Sequence, residues 1–367
     1  MKVAIFGAGA MGSVYAARFA EAGLDVVAID PWHDHVAAIA AHGLRLEGPD
    51  GDRVVTGITA STDPSQAKGA GLFVIATKAA GVGEAARAVG SVMTQGATVL
   101  TIQNGLGAGE RLCQSLPESA ILLGVADGFG AAVSGPGHVR HAAMKMIRLG
   151  ELTGGQTDRL DRVVSLWKQA GFQAQAFADI HQLVWEKLLC NVTLSAPCTV
   201  HDCTVGALMD TPAHWSEALD AMAEAHACGT ARGVAFSFDD PRAYVTAFAT
   251  LVRNASPSMR LDHLAGRASE IDFINGAIPP IGRQYDRNPG ERPALRRGSC
   301  ARGQLLRGLA DEDCELCHGW PVRIWPCHTG WSVARERQIH GAVPKPARRA
   351  CGRQAAGSAR QLPAGSG

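Results

Sequence analysis

At 367 residues the chain has room for two domains of ordinary size, roughly 100–200 residues each. Hydrophobic residues at 46% and charged residues at 19% support a filled core and exclude wholesale disorder. The 35 Lys and Arg against 34 Asp and Glu leave a formal net charge of +1, which gives no global reason to bind nucleic acid or an anionic membrane surface, so the expected partner is small. No apolar run approaches the roughly 20 residues of a bilayer span, and the chain enters a strand-like run with no basic leader ahead of a cleavage site. Cys113, Cys190, Cys198, Cys203 and Cys228 show no paired spacing, as expected of reduced thiols, and the expected compartment is the cytoplasm.

The first element is a β-branched, apolar run, Lys2 to Phe6, passing directly into Gly7-Ala8-Gly9-Ala10-Met11-Gly12 and then a helix-like stretch from Ser13 to Ala22. Strand, glycine turn and helix in this order predict a dinucleotide-binding βαβ unit. Gly7 permits the tight turn, Gly9 removes a side chain where a pyrophosphate approaches, and Gly12 allows close packing. The helix N-terminus offers free N–H groups to the phosphates. A glycine-rich structural turn is the competing reading. A second strand, Asp25 to Ile29, ends at Asp30, placed to accept hydrogen bonds from the adenosine ribose hydroxyls. A 2′-phosphate would meet a like charge there, so Asp30 favours NADH over NADPH, unless it only caps the next helix. Two further buried-strand runs, Leu72 to Ala76 and Ala97 to Ile102, end at Thr77-Lys78 and Gln103-Asn104-Gly105. In an open parallel sheet ligands sit beyond the carboxyl ends of the strands, so Lys78 and Asn104 face the crevice of the glycine loop.

From about Asp179 the pattern turns long and helical. Leu183, Val184, Leu188 and Leu189 make an apolar face, and Lys187 and Asn191 stand one turn apart, a plausible acid beside a positioning amide. Farther on come Ser258-Met259 and a polar segment, Glu270-Ile271-Asp272 with Asn275-Gly276. Taken singly, Lys78 and Asn104 read equally as solvated loop residues, and for Lys187 and Glu270 the spacing alone favours a pair of surface charges.

Together these pieces resemble a known family. The glycine loop, Thr77-Lys78-Ala79, Gln103-Asn104-Gly105, Pro136-Gly137 with Gly150-Glu151, Trp185-Glu186-Lys187-Leu188 with Asn191, Ser258-Met259, and Glu270 to Gly276 follow the order found in ketopantoate reductases (2-dehydropantoate 2-reductases). The resemblance covers residues 1 to about 285. It implies an α/β fold: a Rossmann-like doubly wound parallel sheet over residues 1–177, followed by an all-helical domain over 178–285. It also implies NAD(P)H-dependent reduction of a 2-oxo acid to the 2-hydroxy acid by a monomer or homodimer, in pantothenate biosynthesis. By position, Lys187 resembles the family's proton donor and Glu270 the carboxylate that holds it. Asn104 resembles the residue between nicotinamide and substrate, Asn191 a partner of the substrate hydroxyl, and Ser258 a ligand of the substrate carboxylate. The glycine loop, Asp30, Lys78, Asn104 and Glu270 fall at cofactor positions. Ser195 stands where the family usually has a second Asn, and Ala255 where an Asn often precedes the Ser. These departures keep open a related 2-oxo acid or a dehydrogenase of another hydroxy acid, and the loss of the family's last helical segment keeps open cofactor binding without turnover. Asp30 departs from a family that commonly uses NADPH.

Residues 286–367 differ in kind, with 14 basic and 7 acidic side chains and five Cys, leaving the first 285 residues at −6. Family members continue after Gly282-Arg283-Gln284-Tyr285 with a further helical segment beginning near Ile-Ala-Thr-Pro-Val-Asn. Codons for Asp286 to Glu291, read one base later, can spell that run, so a single-base frameshift near residue 285 accounts for the tail's composition. The expectation is disorder there. Cys314-Glu315-Leu316-Cys317-His318 has the spacing of covalent haem attachment, and Cys327-His328 could add zinc ligands. In an out-of-frame tail both are chance matches, and no metal is expected. Nor does the tail's basic charge form a readable nucleic-acid module.

Overall fold

The computed structural model describes residues 1–128, 130–143 and 145–287. The tail from residue 288, with the Cys314 and Cys327 spacings, lies outside the described residues.

The chain runs β1 (Lys2–Phe6), α1 (Ala10–Glu21), β2 (Asp25–Ile29), α2 (His33–His42), β3 (Leu44–Gly48), β4 (Gly51–Val55), β5 (Ile58–Ser61), β6 (Leu72–Ile75), α3 (Val82–Val92), β7 (Thr98–Thr101), α4 (Ala108–Cys113), β8 (Ile121–Asp127), β9 (Gly130–Gly135), β10 (His138–Ala143), β11 (Met146–Glu151), α5 (Asp158–Gln169) and β12 (Ala174–Ala176). Helices α6 (Ile180–Val200), α7 (Val205–Asp210), α8 (Pro212–Ala231), α9 (Pro241–Leu251), α10 (Ser258–Leu264) and α11 (Ile278–Arg287) follow. Helix α11 thus extends two residues into the stretch read as tail.

Eight strands form one sheet in the order β12-β11-β8-β7-β6-β1-β2-β5. The six from β8 to β5 are parallel, whereas β11 runs antiparallel to β8. The strands at its centre are continuous apolar runs because helices cover both faces: Val3, Ala4 and Ile5 of β1 and Phe73, Val74 and Ile75 of β6 are fully buried. On one face α1 and α5 meet through an aromatic cluster, with the Trp167 ring 5.0 Å from both Tyr15 and Phe19 in edge-to-face contact. The other face is covered by α3 and α4.

A second sheet, β4-β3-β10-β9, lies against α1 and was not foreseen. Its strands are short and carry many exposed polar positions, so they lack the apolar signature of the central strands.

Beyond β12 the described elements are helical. Helix α6 starts where the Asp179 carboxylate accepts the Gln182 amide at 3.3 Å, a side-chain cap. It then runs through Pro197 and packs against α8, α9 and α10, while its first half lies on β8 and β11. The helical part is thereby seated on the sheet edge that holds the carboxyl ends of β6, β7 and β8. No described helix is long and apolar enough to cross a membrane.

Candidate active site

The glycine loop leaves β1 with Gly7 at φ +93°, a conformation that β-carbons disfavour, and a Cβ there would stand 2.7 Å from the Thr77 amide nitrogen. A Cβ on Gly12 would overlap the Gly7 carbonyl oxygen, so the tight contact is between the helix and its own loop rather than between helix and strand. Gly9 is the reverse case: a Cβ there would meet nothing within 4 Å and would project into open space above the loop. Ala8 is buried, while Gly9, Ala10 and Met11 are partly exposed around the N-terminus of α1. No side chain caps that terminus and its first turn carries no acidic residue. Open N–H groups, a positive dipole end and space at Gly9 fit a pyrophosphate. Thr77, packed against Gly7, adds a buried hydroxyl with no hydrogen-bond partner among the described residues.

Asp30 follows β2 beside the loop. One carboxylate oxygen accepts the Ala8 amide at 2.7 Å and the other the Trp32 amide at 2.9 Å. A carboxylate has about four acceptor positions, so two stay available for ribose hydroxyls. Asp30 does not cap α2, whose N-cap residue is Trp32 with no side-chain cap, and its two bonds leave room for ribose.

Lys78 reaches from the end of β6 to the helical part, where its Nζ donates to Asp262 at 2.8 Å. Asp262 is 4% exposed and also accepts Arg267 Nε at 3.0 Å. Ser258 is exposed at the start of α10, one turn before Asp262 on the same helix face.

Glu270 joins the two halves. It is 8% exposed, and its Oε1 accepts the Ala79 amide at 3.1 Å while Asn104 Nδ2 stands 3.5 Å from Oε2. Leu106 N–H donates to the Phe273 carbonyl at 2.8 Å, and Asn275 Nδ2 donates to the Val192 carbonyl of α6 at 2.9 Å. These bonds pin the Glu270 segment between the strand ends and α6.

Lys187, in the second turn of α6, donates from Nζ to the Ala126 carbonyl near the end of β8 at 2.7 Å. Burial pushes its ammonium below the usual lysine value of 10.5, while the Asp127 and Glu270 carboxylates draw it back up. Asn191 is partly buried one turn on, and Ser195 is buried a further turn along. A general acid must be protonated to act, so with Lys187 in that role activity is expected to fall as pH rises through the lysine's pKa. The basic limb of the kcat–pH profile is expected below 10.5. Glu270→Gln removes a charge that favours the ammonium and is expected to move that limb lower still. A limb that stays in place on substitution would separate Glu270 from Lys187.

The structure thus brings Lys78, Asn104, Glu270 and Lys187 together where the strand ends meet the helical part, with Asn191 and Ser195 farther along α6 and Ser258 one turn from the Lys78 partner. Asp262, Asp127 and Arg111 were missed. Arg111 lies with its guanidinium carbon 4.4 Å from the Phe273 ring centroid. Asp262 was detectable as the residue one turn after Ser258, and Asp127 as the carboxyl end of the next parallel strand.

Comparison with known proteins decides the family. The model of "Ketopantoate reductase PanE/ApbA" matches residues 3–154, and its C-terminal counterpart matches residues 179–289. The chain belongs to the ketopantoate reductase family. It is accordingly an NAD(P)-dependent oxidoreductase, and the Rossmann-like and helical arrangement is the family's own. A curated 2-dehydropantoate 2-reductase from Halobacterium salinarum is 32% identical over 286 residues, covering 78% of this chain and 93% of the relative. The crystal structure of a PanE/ApbA family ketopantoate reductase from Ralstonia eutropha JMP134 is similar with a TM-score of 0.71 at 32% identity, covering 78% of this chain and 93% of that one. A ternary structure of D-mandelate dehydrogenase with NADH and anilino(oxo)acetate is also similar, at TM-score 0.71 and 25% identity over the same shares.

Proposed function

We propose that this chain reduces 2-dehydropantoate, or a closely related 2-oxo acid, to the 2-hydroxy acid with NADH or NADPH. The single observation that carries this reading is that Glu270, held by the Ala79 amide and beside Asn104, lies close enough to Lys187 for its charge to act on the ammonium. The glycine loop and the α1 N-terminus would hold the dinucleotide phosphates, Asp30 the ribose, and Lys78 the cleft side. Bound there, the reduced nicotinamide supplies a hydride to the carbonyl carbon. Lys187 stabilises the negative charge that develops on the carbonyl oxygen and transfers a proton to it from Nζ. The Ala126 carbonyl fixes the ammonium, and Glu270 favours its charged form. Asn104, Asn191, Ser195 and Ser258 supply polar contacts around the substrate, with Ser258 placed for its carboxylate.

Steady-state oxidation of both reduced dinucleotides with a panel of 2-oxo acids tests the reading. Turnover with 2-dehydropantoate supports it, and cofactor binding without oxidation by any acid would overturn it. The similarity to a D-mandelate dehydrogenase and the Ser195 departure favour including aryl 2-oxo acids in that panel. A compartment in the cytoplasm suits such a biosynthetic reaction.

NADH is the expected preferred cofactor, because Asp30 gains ribose hydroxyl bonds with it and repels a 2′-phosphate. Asp30→Ala is expected to weaken NADH binding by about tenfold, with NADPH less affected, as hydrogen bonds to a charged group are lost. A measured preference of the unmodified protein for NADPH would leave Asp30 only its bonds to Ala8 and Trp32.

A further inference from the structure

His35 is fully buried in the first turn of α2, yet it is polar on both ring nitrogens. Its Nδ1 accepts the Gly137 amide at 3.0 Å. Because that partner can only donate, Nδ1 carries no proton and the ring hydrogen sits on Nε2. Nε2 faces Ser13 Oγ at 3.2 Å, and the Ser13 hydroxyl donates to the Ala8 carbonyl at 2.6 Å. Every donor in this chain of bonds has one direction, running from the turn between β9 and β10 through His35 and Ser13 to the glycine loop. The Ala8 amide continues it to Asp30. Trp32 closes one face of the imidazole, its ring stacked 4.9 Å away at 11°.

We infer that His35 is a positioning residue for the dinucleotide loop, holding it through Ser13 only while the imidazole is neutral, so that cofactor affinity falls in acid. The inference rests on the reading of that loop as a dinucleotide site. A second proton on the ring would have to go to Nδ1, where it would face the Gly137 N–H across a gap of 3.0 Å. Two donors cannot share that position, so either the ring turns, which breaks the bond to Ser13, or the β9–β10 turn withdraws, which frees the ring from its anchor at Gly137. Gly137 is seated close on α2, where a Cβ would stand 2.9 Å from the Ala38 methyl.

The groups facing the ring are few. Asp30 at the end of β2 is the charge that acts on it and favours protonation, as does the Ala8 carbonyl. Helix α1 presents the uncharged Ser13. The β9–β10 turn presents the Gly137 amide, and the neighbouring His138 is occupied with Glu47 at 3.2 Å. On α2 itself, His33 and Asp34 are exposed. Burial outweighs Asp30 and holds the imidazole below its usual 6.5. The folded state therefore favours the neutral ring. That contribution is complete above pH 6.5 and is lost as pH falls through the lowered folded value.

The test is equilibrium binding of NAD+ and NADP+, which are stable in acid, by titration calorimetry between pH 8 and pH 5 on the full chain. For the unmodified protein the dissociation constant of the preferred dinucleotide is expected to be flat above neutrality and to rise by about fivefold or more in acid. His35→Gln has no titrating ring and is expected to give a flat profile. Ser13→Ala keeps the imidazole but breaks the relay, and is expected to weaken binding about fivefold at pH 8. Its methyl fits the buried site, so it decides the matter should the glutamine variant fail to fold. A His35→Gln profile that tracks the unmodified protein, or a Ser13→Ala affinity equal to it, overturns the inference and leaves the dinucleotide site standing. Absence of binding by every form at every pH overturns the dinucleotide reading and the inference together.

Discussion

Lys187→Ala is expected to lower kcat by about 10²–10⁴-fold while leaving the dissociation constants of NADH and NADPH close to those of the unmodified protein. The methylene stem of Lys187 crosses from α6 to the end of β8, where its Nζ is held by the Ala126 carbonyl. The glycine loop lies at the ends of β1 and β2, so truncation at residue 187 removes nothing that touches the phosphates or ribose. What is lost is a charge needed only as the carbonyl oxygen becomes an alkoxide, which lowers kcat and kcat/KM together. Cutting back the side chain also leaves the Ala126 carbonyl without its donor, so a thermal melt must show that the variant is folded. Turnover within about twofold of the unmodified protein would remove Lys187 from the mechanism, given what positioned general acids contribute.

The parts of this site that were legible in the sequence are those whose signals are local. The glycine loop and Asp30 announce themselves because one βαβ unit places them within about 25 residues of each other, and the conformational demand at Gly7 is met inside that unit. Lys78 and Asn104 follow from a rule of sheets, since each ends an apolar run in a parallel array. The meeting of Lys187 with Glu270 was of another kind. Nothing in the spacing of residues 83 positions apart brings them together. Their proximity depends on Asn275 binding the α6 backbone within the helical part and on Leu106 binding Phe273 across the two parts, tertiary bonds that leave no local signal. Only the family resemblance pointed to it. Asp262 was hidden for a related reason: a buried carboxylate is tolerable when cations satisfy it, and one of its two, Lys78, lies 184 residues away. The second sheet escaped because its strands are polar on one side, and two of its pairing partners, β3 and β10, lie at Leu44–Gly48 and His138–Ala143, about half the Rossmann-like region apart.

Gly9→Ala and Gly12→Ala form a pair whose outcomes should differ although both residues belong to one loop. At Gly12 the added methyl would overlap the Gly7 carbonyl oxygen and approach the Ala76 methyl to 3.3 Å. A carbonyl cannot rotate away as a side chain can, so the start of α1 must shift from the strand. Overpacking of this sort costs about 1–3 kcal/mol, which should appear both as a lowered melting temperature and as dinucleotide binding weaker by about 10- to 100-fold. At Gly9 the methyl meets no atom within 4 Å, so the melting temperature should change little. Its cost falls on the ligand, because the methyl occupies the space that a pyrophosphate needs in order to reach the N–H groups of α1. Melting curves with and without NADH separate the two cases: Gly12→Ala melts early in both, whereas Gly9→Ala melts normally alone and gains little from the cofactor. A Gly9→Ala protein that bound dinucleotide as tightly as the unmodified chain would place the phosphates elsewhere. A Gly12→Ala protein of full stability would mean that the loop carbonyl can give way, and that the close approach in α1 is not what holds the turn.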